Sequence, residues 1–224
     1  MSAISEPVIV TVVHGRFHLY FAGWLRNLRA SGCRSLVHVI VLDAAEIAGE
    51  AEGVEVHHRT LSRVERWSGD YLRLTLIREL CARGQTCMQI DLDTFFNQNP
   101  ARLCDLPYDF IISRGLGWPE EAIGRWGFSL CTGFYIVKPG AAALIDAWLA
   151  LRTHGRGLDQ ENLNMMLLTR NVTWSHAASP LIRDALLTSD EGDVCVLPDR
   201  TITRDCSFES FRGVHNASVL ARHV

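Results

Sequence analysis

Short β-branched runs alternate with helix-patterned stretches along the first 93 residues, and this alternation limits the fold more than any other feature. Residues 7–13 (PVIVTVV) and 35–42 (SLVHVIVL) are nearly continuous apolar runs, as expected of strands covered on both faces. Between them, Phe17, Tyr20, Phe21, Trp24, Leu25 and Leu28 recur at helical spacing over residues 17–30, and Gly32 follows as a stop. A short alternating strand at 53–57 (GVEVH) comes next, then a helix at 70–83 with Asp70 as its N-cap and Gly84 as its end. Residues 86–90 (TCMQI) form a further strand that runs into Asp91-Leu92-Asp93. Strand, helix and strand in this order predict an α/β fold, with a mostly parallel central sheet and helices on both faces.

The second half is less regular. Strands are expected at 109–113, 130–137 and 193–197, and helices at 140–152 and 159–169. The stretch 114–129 reads as one long irregular loop with four glycines and the two tryptophans Trp118 and Trp126, a composition that suits a lid. At 224 residues, with no repeat and no linker, the chain is expected to be a single domain, 1–224.

The formal charge is −3, which excludes a nucleic-acid partner held by a basic face. No apolar run reaches the roughly 20 residues of a membrane span. The first residues read as a strand, not as a signal peptide. Cys33, Cys81, Cys87, Cys104, Cys131, Cys195 and Cys206 are odd in number and contain no CxxC pair, so free thiols and a cytoplasmic location are expected. Lys138 is the only lysine among 22 basic residues, leaving one candidate for any lysine-dependent chemistry.

Chemistry concentrates at Asp91 and Asp93. They follow a buried strand, and open α/β sheets bind ligands at the carboxyl ends of their strands. Two carboxylates one residue apart can face one hard cation, and Mg²⁺ or Mn²⁺ commonly bridges such groups to substrate phosphates.

The string CMQIDLDTFFNQNP resembles the D-x-D segment of glycosyltransferases with the GT-A (Rossmann-like) fold. It is most similar to nucleotide-diphospho-sugar transferases and to the retaining glycogenin-like and galactosyltransferase-like families. Four further segments agree in order: Tyr71-Leu72-Arg73-Leu74, then Thr132-Gly133-Phe134, then Asp159-Gln160 with Leu163-Asn164, and finally Val196-Leu197-Pro198 with Val214-His215-Asn216. The likeness spans about residues 8 to 216, and Cys131 stands where those families carry Asn.

The resemblance implies a UDP-sugar donor, an acceptor of unspecified kind and a divalent ion, Mn²⁺ or Mg²⁺. It implies that Asp93 and His215 ligate the ion, and that Asp91 meets the ion or the donor ribose. Thr11, Val12 and Val13 would offer backbone groups to the base and ribose, and Arg73, Leu92, Thr132 and Gly133 would line the donor site. Asp159 and Gln160 would sit at the reacting sugar carbon of a retaining enzyme; in an inverting one, Asp159 or Glu161 would be the base. The nucleotide would be held by about residues 1–100, the sugar and acceptor by about 101–224.

Three other readings compete. A haloacid-dehalogenase-type phosphohydrolase would use Asp91 as nucleophile and Lys138 as phosphate clamp. A non-catalytic module would bind nucleotide sugar without turning it over. A sugar-phosphate nucleotidyltransferase would need a glycine-rich basic first loop, of which His14-Gly15-Arg16 is a poor version. If Lys138 is not at the site, positive charge for a diphosphate must come from a metal ion and from arginines such as Arg73.

Overall fold

The computed structural model describes residues 6–42, 47, 51–60, 69–96, 98–115, 118–151 and 159–170, and the backbone of 175–176, 185–187, 194–197 and 203–204. The first half follows the expected alternation. Strands β1 (Val8–Val13), β2 (Val37–Leu42), β3 (Val54–Arg59) and β4 (Cys87–Ile90) are separated by helices α1 (His18–Ala30) and α2 (Gly69–Ala82). The β-branched runs of β1 and β2 are buried almost throughout, whereas β3 lies at the edge and is largely exposed.

Next come the two-residue strand β5 (Thr94–Phe95), β6 (Phe110–Gly115), helix α3 (Glu120–Trp126) and the long strand β7 (Ser129–Val137). Helices α4 (Ala142–Ala150) and α5 (Asp159–Thr169) follow, then the short strands β8 (Ser175–His176), β9 (Ala185–Leu187), β10 (Val194–Leu197) and β11 (Thr203–Arg204). The main sheet has nine strands in the order β3-β2-β1-β4-β7-β6-β10-β9-β8. Strands β3, β2, β1 and β4 are parallel neighbours, and only β7 and β9 run against the prevailing direction. This is the mixed α/β architecture, with a mostly parallel sheet, that the resemblance implied.

Helices cover both faces. Phe21, Trp24 and Leu28 of α1 pack with Ile9, Val13, Val39 and Ile90 on one side. On the other, Leu74 and Ile77 of α2 join Val8, Val10 and Ile40, together with Leu144, Trp148 and Leu163 of α4 and α5. Because β1, β2 and β4 are parallel, their carboxyl ends share one edge of the sheet. Strand β7 is antiparallel to β4, with Ile90 opposite Phe134, so its amino-terminal half reaches that same edge.

There β7 changes step. Ile112 of β6 faces Tyr135, but the next residue, Ser113, faces Cys131, so Thr132, Gly133 and Phe134 have no register partner on β6. Bulges of this kind re-aim backbone groups and terminate regular pairing. On the other side of the strand the ladder with β4 runs on by one residue, the Gly133 carbonyl accepting the Asp91 N–H at 2.8 Å.

The long irregular loop expected at 114–129 is corrected by α3. Pro119 precedes it, Glu120 and Glu121 occupy its first turn, and Gly127 ends it at φ +80°. The pattern of Pro, then acids, then Gly is a helix start-and-stop signal that the glycine-rich composition masked. Asp70 is also corrected: α2 begins at Gly69, so Asp70 lies inside the first turn.

Candidate active site

Three elements, α2, β4 and α5, deliver charged side chains to the carboxyl edge of the sheet, and Arg73 is where they meet. It sits one turn into α2 on the face turned to the sheet, and it is only 5 % exposed. Its Nη1 donates to Asp91 Oδ1 at 3.0 Å, and its Nη2 donates to Asp159 Oδ2 and lies 3.4 Å from Asp70 Oδ1. The surrounding carboxylates raise its pKa well above the ordinary value, against the opposing effect of burial. A buried guanidinium fork spanning several carboxylates is a use of arginine that lysine cannot replace.

Asp91 caps the end of β4, and its Oδ1 also accepts from Gln89 Nε2 at 2.7 Å. Its side chain is 32 % exposed, and Asp93 is likewise half-buried, so both carboxylates border solvent at the strand end. Asp159 is almost fully buried at the first position of α5. Its Oδ1 accepts from Thr132 Oγ1 at 3.1 Å and from the Gln160 N–H at 2.7 Å. The residue therefore caps its own helix while its other oxygen meets Arg73, so the capping role and the site position coexist.

Gln160 bridges outward. Its Oε1 accepts the Thr132 N–H at 3.3 Å, and its Nε2 donates to the Trp118 carbonyl at 2.7 Å. Asn164, one turn on, clamps Leu130 of β7 through both its backbone N–H and its carbonyl. Helix α5 is thus fastened to the displaced segment of β7. Trp148 adds a further tie, its indole Nε1 donating to the Asp159 carbonyl at 3.0 Å.

The structure brings together Arg73, Asp91, Thr132, Gly133, Asp159 and Gln160, all singled out in the sequence. Thr11, Val12 and Val13 end β1 at the same edge; Thr11 and Val13 are fully buried, and Val12 is half-buried. The Leu92 side chain points into the α1-side core, leaving only its backbone for a ligand. Tyr71 is buried and its hydroxyl accepts from Asn162 Nδ2. Trp126 packs on Phe128, with ring centroids 6.1 Å apart. His215, Val214, Asn216 and Pro198 lie outside the described residues.

Sequence reasoning missed three residues here: Gln89, Asp70 and Tyr135. Gln89 stands two positions before Asp91, so strand alternation puts it on the same face. Burial, with Asp159 and Asp91 nearby, pushes Asp70 up to about 6 despite the pull of Arg73. Tyr135 is opposite Gln89 in the register, and its buried hydroxyl has no hydrogen-bond partner among the described residues. Burial is also the main reason its pKa rises well above the ordinary value.

Lys138 is not at this site. Val137 faces Cys87, the first residue of β4, so Lys138 sits at the opposite edge of the sheet from Asp91. Its Nζ donates to the Leu106 carbonyl. The phosphohydrolase reading needs this amine beside the Asp91 carboxylate, and the topology forbids it.

A family model described as nucleotide-diphospho-sugar transferase matches residues 71–198. No curated protein matches the chain in sequence. Among solved structures, the chain is similar to the WbbM bifunctional glycosyltransferase in its apo form, at 12% identity and a TM-score of 0.49, over 74% of this chain and 37% of that one. It is also similar to the galactosyltransferase LgtC in complex with donor and acceptor sugar analogues, at 16% identity and a TM-score of 0.49, over 70% of this chain and 69% of that one. The chain thus spans little more than a third of the length of the bifunctional enzyme. The matched segment opens at the Arg73 helix and closes beyond β10, taking in Asp91, the displaced β7 segment and Asp159, and by it the chain belongs to the nucleotide-diphospho-sugar transferases.

Proposed function

We propose that this chain moves a sugar from a UDP-sugar to an acceptor with the help of a divalent ion, and that it retains the anomeric configuration. The observation that supports this best is the single buried arginine joining Asp91, at the end of β4, to Asp159, at the start of α5. The nucleotide is assigned to about residues 1–100, and the sugar and acceptor to about 101–224, with Arg73 at the join.

Asp91 and Asp93 supply hard oxygen donors at a strand end bordering solvent, a donor set that fits Mn²⁺ or Mg²⁺. His215 would complete the set and tilts the preference to Mn²⁺. An ion held by these residues would supply positive charge to offset that of the departing diphosphate. Arg73 orients Asp91 and offsets the charge of the surrounding carboxylates, and with no lysine nearby the diphosphate's charge would be met by the ion. Asp159 and Gln160, held by Thr132 and Trp148, present fixed dipoles and charge toward the sugar carbon, where an oxocarbenium-like state develops.

In the retaining reaction, the bond from the sugar carbon to the diphosphate oxygen breaks on the face where the acceptor oxygen bonds. The acceptor proton passes to the leaving phosphate oxygen. An inverting reaction would require Asp159 or Glu161 to take that proton. The commitment of Asp159 to Arg73, Thr132 and the Gln160 amide favours the retaining reading. Trp118 and Trp126 would border the sugar, and the location is assigned to the cytoplasm.

The test is a thermal-shift screen of nucleotide diphosphates with and without Mn²⁺. UDP with Mn²⁺ is expected to raise the melting temperature, and Asp93→Ala is expected to abolish the rise. A flat response to every common diphosphate overturns the proposal. Donor binding without hydrolysis or transfer over a broad acceptor panel would establish a binding module instead.

A further inference from the structure

A second cluster of ligating side chains lies on β2 and β3, on strands that carry none of the site residues above. Glu55 is the register partner of His38, and His57 stands two residues further along β3. Alternation along a strand therefore puts all three on one face. Ile40 and Leu42, on the same face of β2, pack in the cluster formed with α2.

His38 Nδ1 lies 2.8 Å from His57 Nε2 and 3.3 Å from Glu55 Oε2. All three ligand atoms fall within 4.8 Å of one another. The ring centroids are 5.1 Å apart, so the imidazoles meet nitrogen to nitrogen, not face over face. Two ring nitrogens directed at one gap must share either a proton or a cation. Burial, followed by the nearby His57 and Arg83, lowers the His38 pKa, with Glu55 opposing.

We propose that His38, His57 and Glu55 form a binding site for a divalent transition-metal ion of the zinc class, separate from the Asp91–Asp93 site. Zinc–nitrogen bonds of about 2.0–2.1 Å at tetrahedral angles separate two ligands by about 3.3 Å. The His38–Glu55 spacing already has this value, and the His38–His57 spacing is half an ångström short of it. The side chain of Glu55 is 55 % exposed, and β3 is an edge strand, so the small opening required displaces no core residue. Two imidazoles and one carboxylate select zinc over magnesium or calcium. Three protein ligands leave a fourth position to water. The ion would fasten the edge strand β3 to β2.

The experiment is calorimetric titration of the full chain, stripped with a chelator, with Zn²⁺. Optical titration with Co²⁺ then reports the coordination geometry. One equivalent should bind with a Kd in the micromolar range or tighter. Glu55→Gln and His57→Ala should each weaken binding by about tenfold or more. Both variants should keep the wild-type thermal shift with UDP and Mn²⁺, and Asp93→Ala should keep the zinc site. Absence of zinc binding tighter than about 100 µM would overturn the proposal and leave His38 and His57 as a proton-sharing pair. Binding undiminished in both β3 variants would equally overturn it.

Discussion

Arg73 and its carboxylates set the local energetics of the site. Removing the guanidinium strands Asp159 in a dry environment, and breaking one side of a buried ion pair costs about 3–5 kcal/mol. Arg73→Ala should lose that much stability in urea denaturation, and Arg73→Lys should recover little of it, because an ammonium cannot fork between Asp91 and Asp159. A loss below about 1 kcal/mol would mean that the pairs are weakly held. Asp70 behaves differently. Its folded-state pKa of about 6 lies above the ordinary 3.8. Between those values the native state holds the extra proton, so stability falls as pH climbs through this window and levels off above it. Asp70→Asn should therefore melt a few degrees above wild type at pH 7.5 and level with it at pH 4. A difference independent of pH would refute that cause. Asp91, Arg73 and Asp159 were legible in the sequence because each stands beside a strong local signal. Gln89, Asp70 and Tyr135 were not, because the fold is what makes each matter: Gln89 lies opposite Tyr135 on β7, and Asp70 is buried beside Asp159 and Asp91.

Among the elements, α5 depends on what lies beneath it. Trp148 is fully buried against Tyr135 and Phe110, with ring centroids 5.6 and 6.4 Å away. Trp148→Ala should cost about 3–5 kcal/mol, read from thermal or urea unfolding. Trp148→Phe keeps an aromatic ring in place but releases the Asp159 carbonyl. It should weaken UDP-sugar binding more than it lowers stability, which calorimetry on the folded variant would show. The amphipathic pattern announced α1 and α2 because one face of each is buried. Helix α3 escaped notice because it has seven residues, one of them glycine, and buries only Ala122.

Across the whole molecule, the parallel half followed from strand–helix alternation, since parallel neighbours need crossover connections. The insertion of β7 between β4 and β6 did not, because pairing between segments distant in the chain leaves no local trace. That insertion carries Lys138 to the far edge of the sheet. Lys138→Met should leave the UDP and Mn²⁺ response unchanged and lower stability by about 1–3 kcal/mol through the lost bond to Leu106. Loss of nucleotide binding in this variant would contradict the topology. Among the described residues, no helix is long and apolar enough to cross a membrane. The step in β7 reaches further still. Leu130 and Tyr135 differ in parity along one strand, yet both face the α2-side core. The strand thus behaves as two gears with a slipped tooth between them. Substitutions at its outer end can reshape the surroundings of Asp91 and Asp159 without turning the inner end over, so the candidate site and the core can drift independently along one nine-residue element.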